Sequence, residues 1–338
     1  MKKLISLICV LAMVLALAAC GSSAPAAATE APAASTEAPA EDVSADKTFV
    51  VGICQLVQHP ALDAATQGFK DALTEALGDK VTFQEQNASG DSATCSLICN
   101  QFVSDEVDLI MANATASIQA AASATNTIPI LGTSITDYGV ALGVDNWTGV
   151  SGTNISGTSD LAPLDGQAAM IQELFPEAKT IGLLYCSGEP NSIFQADSME
   201  ALLTDMGYSV ERYTFADSND VSSVTANACS NSDVLYIPTD NTAASCTEAI
   251  NNVALSAGIP IVAGEEGLAS GCGVATLSIS YYDLGRATGE MAAEILTEGA
   301  DISTMEVRFA PAFTKEYNAD ICEALNITVP DDYVAIAK

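Results

Sequence analysis

Small polar residues open several predicted helices directly after strand-like apolar runs. Backbone N–H groups at a helix N-terminus, together with a neighbouring hydroxyl or amide, can bind a carboxylate. The same residue types cap helices in most proteins, so capping and ligand contact stay open as alternative or coexisting roles. The residues in such positions are Thr115, Ser117, Asn191, Ser192 and Asn241, and Thr136 ends a predicted strand in a similar way.

Acidic residues at strand ends are suited to binding a positively charged group. Asp240 is the first candidate because it closes a buried strand and precedes a helix, and Glu189 and Glu265 are the alternates. A charge-assisted hydrogen bond in a closed cleft contributes about 2 kcal/mol. Capping of its own helix is the competing role for Asp240, and Glu189 has the competing role of a solvated loop charge.

Apolar and aromatic residues in the predicted loops would suit a flat ligand group. Leu62, Tyr138 and Tyr282 are the candidates, although tyrosines in such places also pack at hinges. Gln58 and His59 follow the first strand, and His59 is the only histidine in the sequence. For His59 we favour a hydrogen bond that fixes the loop over a ligand contact.

No sequence pattern indicates catalysis. The chain has no Gly-x-Ser-x-Gly, His-Glu-x-x-His or phosphate-binding Gly-x-x-x-x-Gly-Lys motif, and no dinucleotide fingerprint follows the first strand. Cys95 and Cys99 share a helix face without a second pair at metal-ligand spacing. We therefore predict no enzyme, no cofactor and no metal. Free buried thiols are favoured for the cysteines beyond position 20, with disulfides left open.

The elements that must position these residues alternate between strands and helices. Such alternation is typical of parallel sheets built by right-handed crossovers. Strands are predicted at 49–54, 81–86, 107–112, 128–132, 180–186, 209–215, 234–237 and 259–263, and helices at 60–77, 92–104, 115–124, 165–175, 192–206, 221–229, 242–257 and 283–297. The runs DLIMANATAS from Asp108 and DVLYIPTDNT from Asp233 are each followed by a helix and an Ile-Pro-Ile strand. This echo predicts an α/β protein of two similar Rossmann-like lobes, with ligands bound beyond the carboxyl ends of the strands.

The N-terminal segment reads as an export signal. Two lysines precede an apolar run that ends in small residues before Cys20, which predicts a signal peptide over residues 1–19. Residues 20–46 are mostly Ala, Pro, Ser, Thr and Glu and are predicted to form a disordered tether. The formal net charge of −32 argues against nucleic-acid binding.

Several segments, in order along the chain, resemble the ABC transporter substrate-binding lipoproteins associated with tryptophan and tyrosine uptake, a branch of the type I periplasmic binding fold. They are VGICQLVQHPALDAATQGF from Val51, QNASGD from Gln86, DLIMANAT from Asp108, SITD from Ser134, TGVSG from Thr148, LYCSGEPNS from Leu184, YIPTDNT from Tyr236, GEE from Gly264 and YYDLGR from Tyr281. One departure is Tyr138, which stands where the family usually has proline after Thr-Asp.

The resemblance implies a lipid on Cys20, anchorage to the outer face of a bacterial cell membrane by that lipid alone, and partner permease and ATPase subunits. It implies a monomer that binds an aromatic amino acid between its lobes. It also implies three hinge crossings, placed by pattern near 148–152, 278–282 and 307–310. The first lobe would span 47–150 plus 283–308, and the second 151–282 plus 309–338. Two alternatives remain: another small ligand, such as a nucleoside, a sugar or a branched amino acid, and a surface lipoprotein that acts as a sensor or adhesin.

Overall fold

A computed structural model of the chain describes residues 47–310 and 312–337. The predicted signal peptide, the lipid site at Cys20 and the tether lie outside these residues. The strands are β1 Phe49–Gln55, β2 Val81–Asn87, β3 Leu109–Asn113, β4 Ile130–Ile135, β5 Ile155–Ser159, β6 Thr180–Cys186, β7 Ser209–Phe215, β8 Val234–Ile237, β9 Ile261–Ala263, β10 Ala275–Ser278, β11 Arg308–Phe309, β12 Thr314–Tyr317 and β13 Val334–Ala335.

The helices lie between these strands. They are α1 Pro60–Leu77, α2 Ser92–Ser104, α3 Thr115–Ala124, α4 Tyr138–Leu142, α5 Leu164–Leu174, α6 Pro190–Asp205, α7 Val221–Asn231, α8 Asn241–Ala244, α9 Thr247–Ala257, α10 Glu266–Gly271, α11 Tyr281–Glu298 and α12 Ala319–Leu325. None of the described helices is long and apolar enough to cross a membrane.

Two sheets form the centres of two lobes. The first has the order β11-β5-β4-β3-β1-β2, and all its neighbouring strands are parallel. The second has the order β13-β12-β10-β9-β8-β6-β7, with β12 antiparallel to β10 and the other pairs parallel. Helices cover these sheets, which is why β3, β4 and β8 are buried along their whole length. The predicted α/β fold with two parallel-sheet lobes is confirmed.

The chain passes between the lobes three times. The first crossing is at residues 160–163, after β5, whereas the sequence predicted it near 148–152. Strand β5 was not predicted because Ile-Ser-Gly-Thr-Ser has little apolar content, yet it pairs with β4 and places residues 155–159 in the first sheet. The second crossing is at residues 279–280, and the third lies between Phe309 and Thr314.

Helix α11 returns the chain to the first lobe by packing closely on α1. A Cβ added at Gly285 would overlap with the backbone oxygen of Ala65. The absence of side chains at Gly68 and Gly285 therefore lets the two helices approach at backbone distance. This contact holds the start of α11, and with it the second crossing, against the first lobe.

Other differences from the sequence prediction are local. The predicted helix over 242–257 is divided into α8 and α9, with Ser245 and Cys246 between them. Helices α4, α10 and α12 and strands β10 to β13 are short or polar and were not predicted from the pattern.

Candidate functional site

A cleft between the two lobes lies at the carboxyl ends of both sets of parallel strands. Its outer part is a cavity of about 450 Å³ with walls from both lobes. The first lobe contributes Leu56, Val57, Ala116 and residues 89–92, and the second contributes Cys186, Gly188, Glu189, Asn241, Thr242, Ser245 and residues 216–218. The loops after β1, β2, β6, β7 and β8 therefore form one shared pocket.

Four buried polar atoms at this end of the first sheet have no hydrogen-bonding partner among the described residues. They are His59 Nδ1, Asn113 Oδ1, Ser134 Oγ and Asp160 Oδ1. Asn113 and Ser134 belong to β3 and β4, Asp160 directly follows β5, and His59 ends the loop between β1 and α1. The four strands β1, β3, β4 and β5 are neighbours in the sheet. Buried polar groups in proteins are almost always hydrogen-bonded. Unpaired atoms along four neighbouring strands, which we call the row, therefore point to a surface that receives the polar groups of a ligand.

Most of these atoms are acceptors. The Asn113 amide nitrogen already donates to the Leu62 backbone oxygen at 2.9 Å and to Thr66 Oγ1 at 3.0 Å, which leaves its oxygen free. Asp160 accepts a hydrogen bond from the Tyr281 hydroxyl on its other oxygen, at 2.8 Å. The row thus favours a ligand that is rich in N–H or O–H donors.

A hydrogen bond joins the two lobes across the cleft. His59 Nε2 lies 3.3 Å from Asn241 Oδ1, and both residues are buried. Burial lowers the pKa of His59 below its ordinary value, against the opposing influence of the Asn241 hydrogen bond and the Glu189 and Asp63 carboxylates. The hydrogen-bonding partner of His59 is on the opposite lobe and not in its own loop.

Glu189 organises the second-lobe side of the cleft. Its Oε1 accepts hydrogen bonds from the backbone nitrogen and hydroxyl of Thr242, at 2.8 and 2.7 Å. Its Oε2 accepts from the backbone and side-chain nitrogens of Asn241, at 3.0 and 2.8 Å, and from Asn191 at 3.2 Å. Glu189 is therefore an anchored carboxylate at the cleft wall and not a solvated loop charge.

Asp240 is fully enclosed at the base of the same loop. Its carboxylate caps α8 by accepting from Ala243 N at 2.8 Å, and it also accepts from Cys186 N at 2.6 Å. Burial is the main reason that the pKa of Asp240 rises to about 8, and the neighbouring Glu189 carboxylate adds to this rise. The capping role considered for Asp240 is thus present in the structure.

Two further buried acids stand near the hinge crossings. Burial raises the pKa of Asp160 to about 6, and the nearby hydroxyls of Tyr281 and Thr136 oppose this rise. Glu265 caps α10 through Gly267 N and Leu268 N, both at 2.5 Å, and burial raises its pKa to about 7. Sequence reasoning missed Asp160 because it follows the unpredicted strand β5. An acidic residue directly after that strand was the available signal.

The structure separates two predicted contacts from the cleft. Tyr138 is 2% exposed and lies in the first-lobe core, where it stacks on Trp147 and donates to the backbone oxygens of Gly132 and Thr158 at 3.1 and 3.2 Å. Ser117 is buried beside the thiols of Cys54 and Cys95, each 3.6 Å from its hydroxyl. In this structure both side chains bond to groups of the first-lobe core.

The remaining predicted residues fall into three groups. Asn191, Ser192, Thr115 and Thr136 are buried at strand or helix ends, and Asn191 also donates to Thr239 O at 3.0 Å. Leu62 is buried in the first-lobe core on α1. Gln58 is exposed. Tyr282 is 37% exposed, and its hydroxyl donates a hydrogen bond to the Asp71 carboxylate.

A second cavity, of about 310 Å³, lies on the hinge side of the His59 contact. Its walls include the start of α1, the acids Glu265 and Glu266, and the tyrosines Tyr281 and Tyr282. Tyr282 therefore lines this second cavity and not the first.

One cysteine, Cys186, lines the cavity of the cleft. The eight cysteines of the described residues are free thiols, and seven of them are buried. Within residues 47–310 and 312–337, no group of three or more His, Cys, Asp or Glu side chains is arranged to hold a metal ion.

Comparison with known proteins adds family and structural relatives. The family model described as ABC transporter substrate binding protein matches residues 50–338. A tyrosine-binding protein from Clostridioides difficile is 38% identical over 280 residues, which covers 82% of this chain and 81% of that protein. The structure of an ABC domain in complex with L-Trp, from Streptococcus pneumoniae, is 30% identical, covers 86% of this chain and 100% of that chain, and has a TM-score of 0.82.

A third relative helps to define the lobe arrangement. The ligand-free, open structure of a substrate-binding protein with adhesive properties, from Clostridium difficile, is 37% identical and covers 86% of this chain and 100% of that chain, but its TM-score is 0.65. The chain is thus more identical in sequence to the open protein and more similar in shape to the L-Trp complex. In this structure the hydrogen bond between His59 and Asn241 brings the two lobes into contact across the cleft.

Proposed function

The chain belongs to the family of ABC transporter substrate-binding proteins, and we propose that it binds an aromatic amino acid between its lobes and delivers it to an importer. The row of unpaired polar atoms from His59 to Asp160 is the observation that carries this proposal. The relatives support the ligand class, since one is described as tyrosine-binding and another was solved with L-Trp. Solute binding without catalysis accords with the family, which is not an enzyme family.

The ammonium group of the ligand pairs with Asp160 in this proposal. The unpartnered oxygen of Asp160 is buried, and because the pKa of Asp160 is about 6, the carboxyl group is ionised at neutral pH. A buried carboxylate is most stable beside a cation, and a charge-assisted hydrogen bond is about twice as strong as a neutral one. Asp240 was the first choice from the sequence, but both of its oxygens already accept backbone hydrogen bonds.

The ligand carboxylate is assigned to the neighbouring polar side chains. Ser134 lies near the carboxyl end of β4, the neighbour of β5 in the sheet, and its hydroxyl is buried and has no partner among the described residues. Thr136 and Thr115 stand at adjacent strand and helix ends, and all three are nine-tenths or more buried. Hydroxyls beside a helix N-terminus are suited to an anionic group.

The ligand bridges the two lobes and holds them closed, the three crossings bend as hinges, and the closed form docks on the permease. The protein acts as a monomer held at the outer face of the cell membrane by a lipid on Cys20. Replacing Cys20 with Ala is expected to release the protein from the membrane fraction. Retention of the variant on membranes would contradict lipid anchoring.

Thermal denaturation with a panel of small ligands tests the proposed function. Tyrosine, tryptophan and phenylalanine should raise the unfolding temperature, since saturating ligand at a hundred times its dissociation constant stabilises the folded state by about 2.7 kcal/mol. Leucine, nucleosides and sugars serve as matched comparisons. Stabilisation by one of these groups and not by any aromatic amino acid would refute the assignment of the ligand while leaving solute binding intact.

A further inference from the structure

Two side chains of the second lobe, Glu189 and Asn241, form a chain of hydrogen bonds that ends at His59. Glu189 accepts five hydrogen bonds from N–H and O–H groups. A carboxylate that receives this many donors acts only as an acceptor. The Asn241 amide must therefore point its nitrogen at Glu189, at 2.8 Å, and its oxygen at His59.

The orientation of Asn241 determines which nitrogen of His59 carries the proton. Asn241 Oδ1 can only accept, so His59 Nε2 must donate across their 3.3 Å separation. A neutral imidazole has one N–H group, and burial favours the neutral form of His59. The other nitrogen, Nδ1, is then a bare acceptor, buried and without a partner among the described residues.

His59 and Asp160 stand at opposite ends of the row of unpaired atoms. They follow β1 and β5, which are separated in the sheet by β3 and β4. Three strand spacings amount to about 14 Å. The length of an aromatic amino acid that lies across these strands, together with one hydrogen bond at each end, is similar to this separation of β1 and β5. A cationic ammonium group prefers the carboxylate end, which leaves the neutral imidazole for a neutral donor.

We infer that His59 is a specificity-determining residue, whose Nδ1 accepts a hydrogen bond from an O–H or N–H group on the side chain of the ligand. The inference builds on the proposed binding of an aromatic amino acid and adds selection among such ligands. Tyrosine and tryptophan carry the required donor, and phenylalanine lacks it. Glu189 and Asn241 are positioning residues, since they act by fixing the tautomer of His59.

Phenylalanine binding leaves Nδ1 buried and unpaired. Sites built to bond a ligand hydroxyl or N–H discriminate strongly against analogues that lack it, because the polar group of the site then remains unsatisfied. We expect phenylalanine to bind roughly 10- to 100-fold more weakly than tyrosine or tryptophan.

Two substitutions separate the acceptor from the contact between the lobes. In His59→Gln, the longer amide can still donate to Asn241, but no acceptor remains at the position of Nδ1. In His59→Asn, an amide oxygen can occupy the position of Nδ1, while the contact with Asn241 is lost. Calorimetry with tyrosine, tryptophan and phenylalanine should show that His59→Gln loses the preference over phenylalanine and that His59→Asn keeps part of it.

Several outcomes would overturn the inference. They are equal affinity of the wild type for all three amino acids, an unchanged preference in His59→Gln, and loss of the preference in both variants. The last result would assign selectivity to the contact between the lobes. If the wild type bound none of the three, the proposed function would fail, and the inference with it.

Nitrogen-15 NMR tests the tautomer without any ligand. His59 is the only histidine in the sequence, so the imidazole signals report on it alone. We expect a protonated Nε2 and an unprotonated Nδ1 whose resonance shifts when tyrosine or tryptophan binds. In Glu189→Gln the Asn241 amide is free to turn, and a mixture of tautomers should appear. If the proton of wild-type His59 were on Nδ1, the proposed control of the tautomer by Glu189 and Asn241 would be refuted.

Discussion

Replacing Asp160 with asparagine tests the assignment of the ammonium site. Asp160 is 3% exposed and follows β5 at the first crossing between the lobes. In the wild type, the Tyr281 hydroxyl donates to Asp160 at 2.8 Å. Asparagine keeps the size of the side chain, and its oxygen can still accept this hydrogen bond. The substitution thus removes one buried negative charge while preserving the hinge contact.

The expected loss of affinity follows from the strength of a hydrogen bond to a charged group. Such a bond contributes about 1.5–3 kcal/mol, and each 1.4 kcal/mol changes the dissociation constant about tenfold. Asp160→Asn should therefore weaken binding of an aromatic amino acid by roughly 10- to 100-fold at pH 7.5.

Asp160→Asn weakens ligand binding, but it should increase the stability of the ligand-free protein. Burial raises the pKa of Asp160 from 3.8 to about 6, so the folded state binds more protons than the unfolded state between these values. The free energy of unfolding consequently falls as the pH rises through this window. Above pH 7 the unliganded Asp160→Asn variant should be more stable than the wild type by about 1–3 kcal/mol.

Affinity should also depend on pH in a way that the substitution removes. The carboxyl group must be ionised to pair with an ammonium group, so the affinity of the wild type should decrease as the pH falls below about 6. Calorimetry from pH 5 to 8 measures this, with Asp79→Asn as a control that makes the same change of charge at an exposed position. Wild-type affinity in Asp160→Asn, or an unchanged pH dependence, would refute the pairing.

Three other substitutions or labelling experiments follow from the site. Asp240→Ala leaves two buried backbone N–H groups without acceptors. It should therefore lower the free energy of unfolding, measured by denaturant titration, by about 2–4 kcal/mol. Unchanged stability would contradict the capping role of Asp240. Tyr138→Phe should cost about 1–2 kcal/mol of stability with less than about a threefold change in affinity, because the hydroxyl bonds core carbonyls; a large loss of affinity would return Tyr138 to the site. A thiol reagent followed by mass spectrometry should label Cys246 in preference to the seven buried cysteines, whereas rapid labelling of the others in the native protein would contradict their burial.

The alternation of elements could be read from the sequence because each strand and helix carries its own local signal. The boundaries of β1, α1, α2 and β6 were predicted within one residue. Strand β5 was not, since its side chains are small and polar and Gly157 adopts a φ of +141°. Its place in the sheet comes from pairing with β4, which is a tertiary contact. The first crossing therefore shifted along the chain.

The candidate site was predictable in part for a related reason. Polar residues at strand ends indicate a cleft, and Glu189 and Asn241 do lie on its wall, with Asn191 hydrogen-bonded to Glu189. The pattern could not reveal that Tyr138 turns inward under the sheet, where its hydroxyl lies between the backbones of β4 and β5. Nor could it show that Asp240 is occupied by backbone donors.

The sequence by itself determined the number and type of most elements, the two-lobe plan and the residues from which a binding cleft could be built, because hydrophobic periodicity and helix capping act over a few neighbouring residues. Only the tertiary structure decided which polar atoms remain without a partner. Glu189, Asn241 and His59 are brought together by closure of two lobes, although Asn241 and His59 are 182 positions apart in the chain. Hydrogen-bond satisfaction depends on distances in space, and local sequence carries no record of them.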